Sequence, residues 1–134
     1  MTDRNARVIE EFRAHAGRVG GYFAGIDLLL LTSTGARSQR SYTHPLSYAT
    51  DSGRYVVIAA DGGAPAHPGW YYNLIAHPDV TVEVGTEKFA AWADLAIGAE
   101  RDRLFRERAQ AIPALNDYAA RTSREIPVFT IERT

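Results

Sequence analysis

Two stretches hold the residue types that could do chemistry. From Asp61 to Leu74 the chain reads DGGAPAHPGWYYNL, with three glycines, two prolines, one histidine and three consecutive aromatics. Gly62 and Gly63 can take positive φ and let a flat molecule approach the backbone closely. N–H groups in such a turn can donate to it. Pro68 suits the first position of a helix, which places Trp70, Tyr71, Asn73 and Leu74 on its opening turns. The plainer alternative is a stiff connection whose aromatics fill the core. The second stretch is TGARSQR, Thr34 to Arg40. Gly35 lets the chain turn, and Arg37, Ser38 and Arg40 set donors beside that turn. Guanidinium forks match the oxygens of an anionic group such as phosphate. The lysine and spacing of a Walker A loop are absent, and a polar hairpin loop with solvated arginines reads the same way.

Other chemistries find little support. His15, His44, His67 and His77 have no zinc-ligand spacing, and there is no H-E-x-x-H, so no metal site is expected. His44 precedes Pro45 in a polar strand and is a candidate site residue, whereas His67 reads as orienting its own loop. Ser33, Ser38 and Ser47 lie outside any G-x-S-x-G elbow. The chain has no cysteine, which removes disulfides, thiolate ligands and thiol catalysis. With no advertised acid, base or nucleophile, an enzyme built on this chain needs a bound cofactor to do the hard chemistry.

The elements that must position these residues follow from periodicity. Residues 4–16 predict an amphipathic helix with Val8, Ile9, Phe12 and Ala16 on one face, ended by Gly17, Gly20 and Gly21. That face suits packing on the body, covering a ligand or touching a membrane surface. IDLLLLTST is a buried strand. SYTHPLSYAT, the turn Asp51-Ser52-Gly53 and RYVVIAA form a hairpin signal. Pro45 in its first arm requires an edge or a bulge. VTVEV (80–84) and KFAAWADLAI alternate as strands, 99–110 and 113–121 read as helices, and IPVFTIE as a last strand. Consecutive strands with tight turns argue for an antiparallel sheet, which at about six half-buried strands curls into a small barrel with helices on its rim.

Bulk composition agrees. The 134 residues suit one domain, read as a helical segment over 1–21 and a barrel over 22–134. A net charge of −1 argues against a nucleic-acid footprint. The acidic N-terminal MTDRNARVIEEF has no apolar h-region, so a cytoplasmic protein is expected, with membrane contact open only to the first helix.

Taken together, LLLLTSTGARS, THPLSY, YVVIAADGGAPAHPGWYYNLIAHPDVTVEVG, ERDRLF and YAARTSREIPVFTIE resemble the deazaflavin-dependent nitroreductase family over most of the chain. The resemblance implies an α+β, mainly β fold, an antiparallel split β-barrel related to FMN-binding barrels, with flanking helices. It implies coenzyme F420 and hydride transfer from F420H2 to a small electrophilic acceptor, a quinone, enone or nitro compound. Carried across position by position, the cofactor-binding residues are Arg37 and Ser38 at the anionic tail, then Tyr42, Thr43, His44, Pro45 and Ser47. Ile58, Ala59, Ala60 and Asp61 follow on the next arm, and Gly69, Trp70, Tyr71 and Asn73 on the helix. Tyr118 matches a tyrosine beside the acceptor, and it and Tyr71 are the candidate proton donors.

The chain departs from the family where charge matters. The family's G-R-K-S-G is Gly35-Ala36-Arg37-Ser38-Gln39, an arginine is replaced at Tyr42, and Asp61 brings an acid toward a polyanionic tail. Two acceptor-side tyrosines are Ile112 and Leu115. The lost cations leave room for FMN or FAD as the cofactor, or for a non-catalytic carrier of F420 or of an apolar ligand. A homodimer is compatible with a barrel of this type.

Overall fold

The computed structural model describes residues 3–134. Four helices, α1 (Asp3–Ala14), α2 (Gly69–Ala76), α3 (Gly98–Ala111) and α4 (Ala114–Arg121), surround seven strands. These are β1 (Leu28–Thr34), β2 (Ser41–Ser47), β3 (Ala49–Asp51), β4 (Arg54–Ile58), β5 (Asp79–Val84), β6 (Glu87–Leu95) and β7 (Val128–Arg133). The sheet order is β2-β1-β5-β6-β7-β4-β3, and every pairing is antiparallel. The two ends of this order, β2 and β3, are separated in sequence by Tyr48 alone. The sheet must therefore curl until its edges come close, which makes a split barrel.

The run of four leucines in β1 is explained by cover on both faces. Leu29 and Leu31 enter the barrel core with Val57, Val82, Phe129 and Ile131. Leu28 and Leu30 point the other way, under Val8, Ile9 and Phe12 of α1. The apolar stripe of α1 is thus spent on the sheet, except that the helix stops at Ala14 and leaves Ala16 exposed. In β6 strict alternation holds: Phe89, Ala91 and Ala93 are buried while Lys88, Ala90 and Trp92 face outward. No helix among the described residues is long and apolar enough to cross a membrane.

One expectation is corrected. The arm SYTHPLSYAT does not pair as a unit with RYVVIAA. It breaks at Tyr48: β2 pairs along its whole length with β1, from Leu28↔Ser47 to Thr34↔Ser41, and only β3 pairs with β4. The Asp51–Arg54 turn is nevertheless a tight hairpin, with Ser52 and Gly53 both at positive φ. Pro45 sits on β2, an edge strand, the kind of strand in which a proline is accommodated.

Ion pairs fasten the helices to this frame. Asp51 accepts from Arg54 and Arg103, which ties α3 to the β3–β4 hairpin and holds the Asp51 carboxyl at about 2. Arg13 donates Nε and a terminal nitrogen to the two oxygens of Glu83, at 3.0 and 2.8 Å, and so clamps α1 to β5. These donors hold the Glu83 carboxyl below its ordinary value. The stability it contributes is complete above the usual carboxylate range and is lost as pH falls through the depressed value. Arg13→Ala leaves a largely buried carboxylate unpaired beside a half-exposed site, and should reduce stability by about 1–2 kcal/mol. Urea unfolding at neutral pH reads this, and the gap to the parent should close as Glu83 is protonated in acid.

Candidate functional site

The turn after β1 is shaped by its own side chains. Ser38 Oγ lies 3.0 Å from Tyr42 Oη and accepts from the Arg40 N–H at 3.2 Å. A Cβ at Gly35 would meet Ser38 Oγ, and would lie 2.7 Å from the Tyr42 ring. Glycine is needed there so that the turn can fold down on itself. Asn73 of α2 then pins the turn from the side. Its Oδ1 accepts from the Ala36 N–H at 3.0 Å, and its Nδ2 donates to Ser33 Oγ at 3.2 Å. Asn73→Ala frees the turn and leaves Ser33, which is buried, without its donor. We expect a loss of about 1–2 kcal/mol, read by denaturant unfolding, with faster amide exchange at Ala36.

Between this turn, β2 and α2 lies a cleft of about 680 Å³. That is within the range of small-molecule sites, roughly 300–1,000 Å³. Of the residues expected in a cofactor site, Arg37, Ser38, Tyr42, His44, Gly69, Trp70 and Asn73 line it. Among the described residues Arg37 has no hydrogen-bond or ion-pair partner, so its donors are available. Trp70 forms the floor: it is buried and packs 5.9 Å from Phe129 of the core. Tyr42, Tyr72 and Ile75 make an apolar rim, 36%, 49% and 50% exposed. A larger hollow of about 1070 Å³ under the loop after α1 contains none of the expected residues.

The His44 ring makes no hydrogen bond among the described residues, and its Nδ1 is sealed from solvent without a partner. An unpaired buried N–H is more costly than an unused lone pair, so the proton belongs on Nε2. Burial pushes the His44 pKa down. The ring therefore lines the cleft in its neutral form.

The remaining expected residues lie elsewhere. Cross-strand pairing puts Thr43, Pro45 and Ser47 opposite Thr32, Leu30 and Leu28, on the face turned toward α1. Thr43 and Thr32 bond each other through their hydroxyls at 2.8 Å. Because strand side chains alternate, Tyr42 and His44 share the cleft and these three do not. Ala59 and Ala60 are buried, Ile58 packs against α3, and exposed Asp61 is not part of the cleft wall. Its charge is therefore not set against an anion there. Tyr71 faces the other side of α2, its ring stacked 4.1 Å from His67 and edge-on to Phe129 at 5.8 Å. Tyr118 packs with Leu115 and Ile126 behind the glycine loop, with the Arg121 guanidinium 5.6 Å above its ring. Neither tyrosine lines the cleft.

Three contributors escaped sequence reasoning. Tyr72 and Ile75 follow from the helical spacing of α2 once Trp70 is buried. Arg124 carries no local signal at all. From beyond α4 it reaches the glycine loop and donates to the carbonyls of Ala59, Ala60 and Ala64 and to His67 Nδ1.

A curled antiparallel sheet, a cationic turn and an aromatic-floored cleft between them define a split-barrel protein whose cleft has the size and lining of a small-molecule site. Comparison with known proteins narrows this. The sequence model of the F420H(2)-dependent quinone reductase family matches residues 5–133. An F420H(2)-dependent quinone reductase of Mycobacterium tuberculosis H37Rv is 37% identical over 126 residues, covering 91% of this chain and 85% of that one. A solved F420-H2 dependent reductase (FDR-A) superposes with a TM-score of 0.71 at 36% identity, over 78% of this chain and 93% of that one. A second solved relative, described as a domain-swapped dimer, gives 0.74 at 32%, over 95% and 96%. The chain belongs to the F420H(2)-dependent quinone reductase family. It is an F420-dependent reductase, and membership decides for F420 over FMN or FAD as its cofactor.

Proposed function

We propose that the chain uses F420H2 to reduce quinones, and that the cleft between the Gly35–Tyr42 turn and α2 is where the cofactor is held. The observation that carries this is the unpaired Arg37 at the lip of an apolar-rimmed cleft. Arg37 and the N–H groups of the turn would take the anionic tail. His44, through Nε2–H, would donate to a carbonyl of the ring system, with Trp70 beneath as a flat support. Reduced F420, when bound, supplies a hydride. A quinone gains that hydride and a proton and leaves as the hydroquinone. The exposed apolar edge of Tyr42, Tyr72 and Ile75 gives a flat acceptor a place to settle and shed water. Tyr42 and Tyr72 carry the hydroxyls nearest that edge and are the proton sources this geometry supports, in place of Tyr71 and Tyr118.

The test is a panel of quinones, enones and nitroaromatics offered with F420H2, with cofactor oxidation followed by absorbance. Quinones should show the highest kcat/KM. Higher values for enones or nitro compounds would overturn the assignment of acceptor. Turnover that vanishes across the panel while F420 still binds would make the protein a carrier.

A further inference from the structure

We infer that Arg124 is a positioning residue for the cofactor cleft: it sets the shape of the Ala59–His67 loop and fixes the proton of His67 on Nε2. The inference rests on the cleft beside Trp70 holding F420.

Four bonds from one guanidinium carry it. Nε donates to Ala64 O at 2.8 Å, one terminal nitrogen to Ala60 O at 2.7 Å, and the other to Ala59 O at 3.2 Å and His67 Nδ1 at 2.9 Å. All four acceptors belong to the loop that delivers Pro68 and the start of α2. Gly62 and Gly63 at the loop's centre have positive φ, and glycine adopts many conformations about equally well, so its backbone does not by itself select this shape. Arginine has no lone pair to offer and does not lose its proton. Wherever it bonds an imidazole nitrogen, that nitrogen must be the acceptor. His67 is therefore bare at Nδ1 and protonated at Nε2, and a second proton would face the guanidinium directly. Burial and the charge of Arg124 both push the His67 pKa down. The held imidazole then stacks on Tyr71 at 4.1 Å with 27° between the planes. Tyr71 is flanked on α2 by Trp70 and Tyr72, which form the floor and rim of the cleft. The arginine is thus linked to the cleft wall through one ring stack and the backbone of adjacent α2 residues, without touching the cleft.

Nitrogen-15 NMR of the ligand-free protein reads the His67 tautomer, and a fluorescence titration with F420 reads the cleft. In the parent, His67 should show an unprotonated Nδ1. In Arg124→Gln, that tautomer should become mixed, F420 should bind about tenfold more weakly, and Arg124→Lys should recover part of the affinity. Guanidinium ion at millimolar concentration should partly restore the glutamine variant. A proton on Nδ1 in the parent, or parental F420 affinity in a folded Arg124→Gln, would overturn the inference. Should the glutamine variant fail to fold, the parent tautomer and the lysine variant decide it. Failure of the parent itself to bind F420 would strike the functional proposal, and the tautomer would still be legible.

Discussion

Arg37→Glu is expected to weaken F420 binding by about 100-fold or more. A hydrogen bond to a charged group contributes about 1.5–3 kcal/mol, and about 1.4 kcal/mol is a factor of ten. Arg37→Ala alone should therefore lose about tenfold or more. Reversal adds repulsion between the new carboxylate and an anionic tail at the lip of the cleft. The loss should shrink as salt is raised, because the site is open and screened. Arg106→Glu makes the same change of net charge on the exposed side of α3, no residue of which lines the cleft, and should leave affinity within about twofold because solvent and salt screen an exposed charge. Equal losses in the two variants would mean that only overall charge matters and that the anionic end lies elsewhere.

Gly63→Val should be the most destabilising single change in the loop. Gly63 has φ of +80°, and an added Cβ would lie 2.7 Å from Tyr118 O and 2.9 Å from Tyr118 Cα. Both are backbone atoms of α4 and cannot swing aside. The left-handed conformation costs a side chain roughly 1–2 kcal/mol, more for a β-branched one, and separation of α4 from the loop adds to it. A total of about 4 kcal/mol is expected, a large share of an ordinary stability of roughly 5–15 kcal/mol. Gly62→Ala is the contrast. Its φ is +63° and nothing lies within 4 Å of the added atom, so only the conformational part, about 1 kcal/mol, should appear. Denaturant midpoints measured side by side test this, and equal shifts would show that α4 does not press on the loop. The pair also accounts for two of the three glycines of the quoted stretch: one supplies a turn, the other makes room for a neighbour.

Much of the fold was legible because its signals are local. The unbroken leucines of β1, the alternation in VTVEV and KFAAWADLAI, and the Asp51–Gly53 turn each state their own conformation. The break at Tyr48 is not of this kind. SYTHPLSYAT has strand character throughout, and only the pull of β1 on one half and β4 on the other divides it. The site divided along the same line. Arg37, His44 and Trp70 are visible as types in a pattern, and the structure brings all three to the wall of one cleft. Strand alternation separates Tyr42 and His44 from Thr43, Pro45 and Ser47, and the sequence already contains that separation. Asn73, by contrast, looks like a ligand group in sequence, yet both ends of its amide are used to hold Ala36 and Ser33. Arg124 is the opposite case: one more arginine among many, its role set by carbonyls about sixty residues earlier in the chain. Bonds that span such separations leave no periodicity to read.

The place of β7 in the sheet has a consequence for how the barrel is assembled. Its six residues lie between β6 and β4, so until they are in place both of those strands present raw edges. Such edges recruit other chains. Without β7 the sheet falls into two open pieces, β2-β1-β5-β6 and β4-β3, and truncation at residue 127 should yield aggregate rather than a smaller barrel.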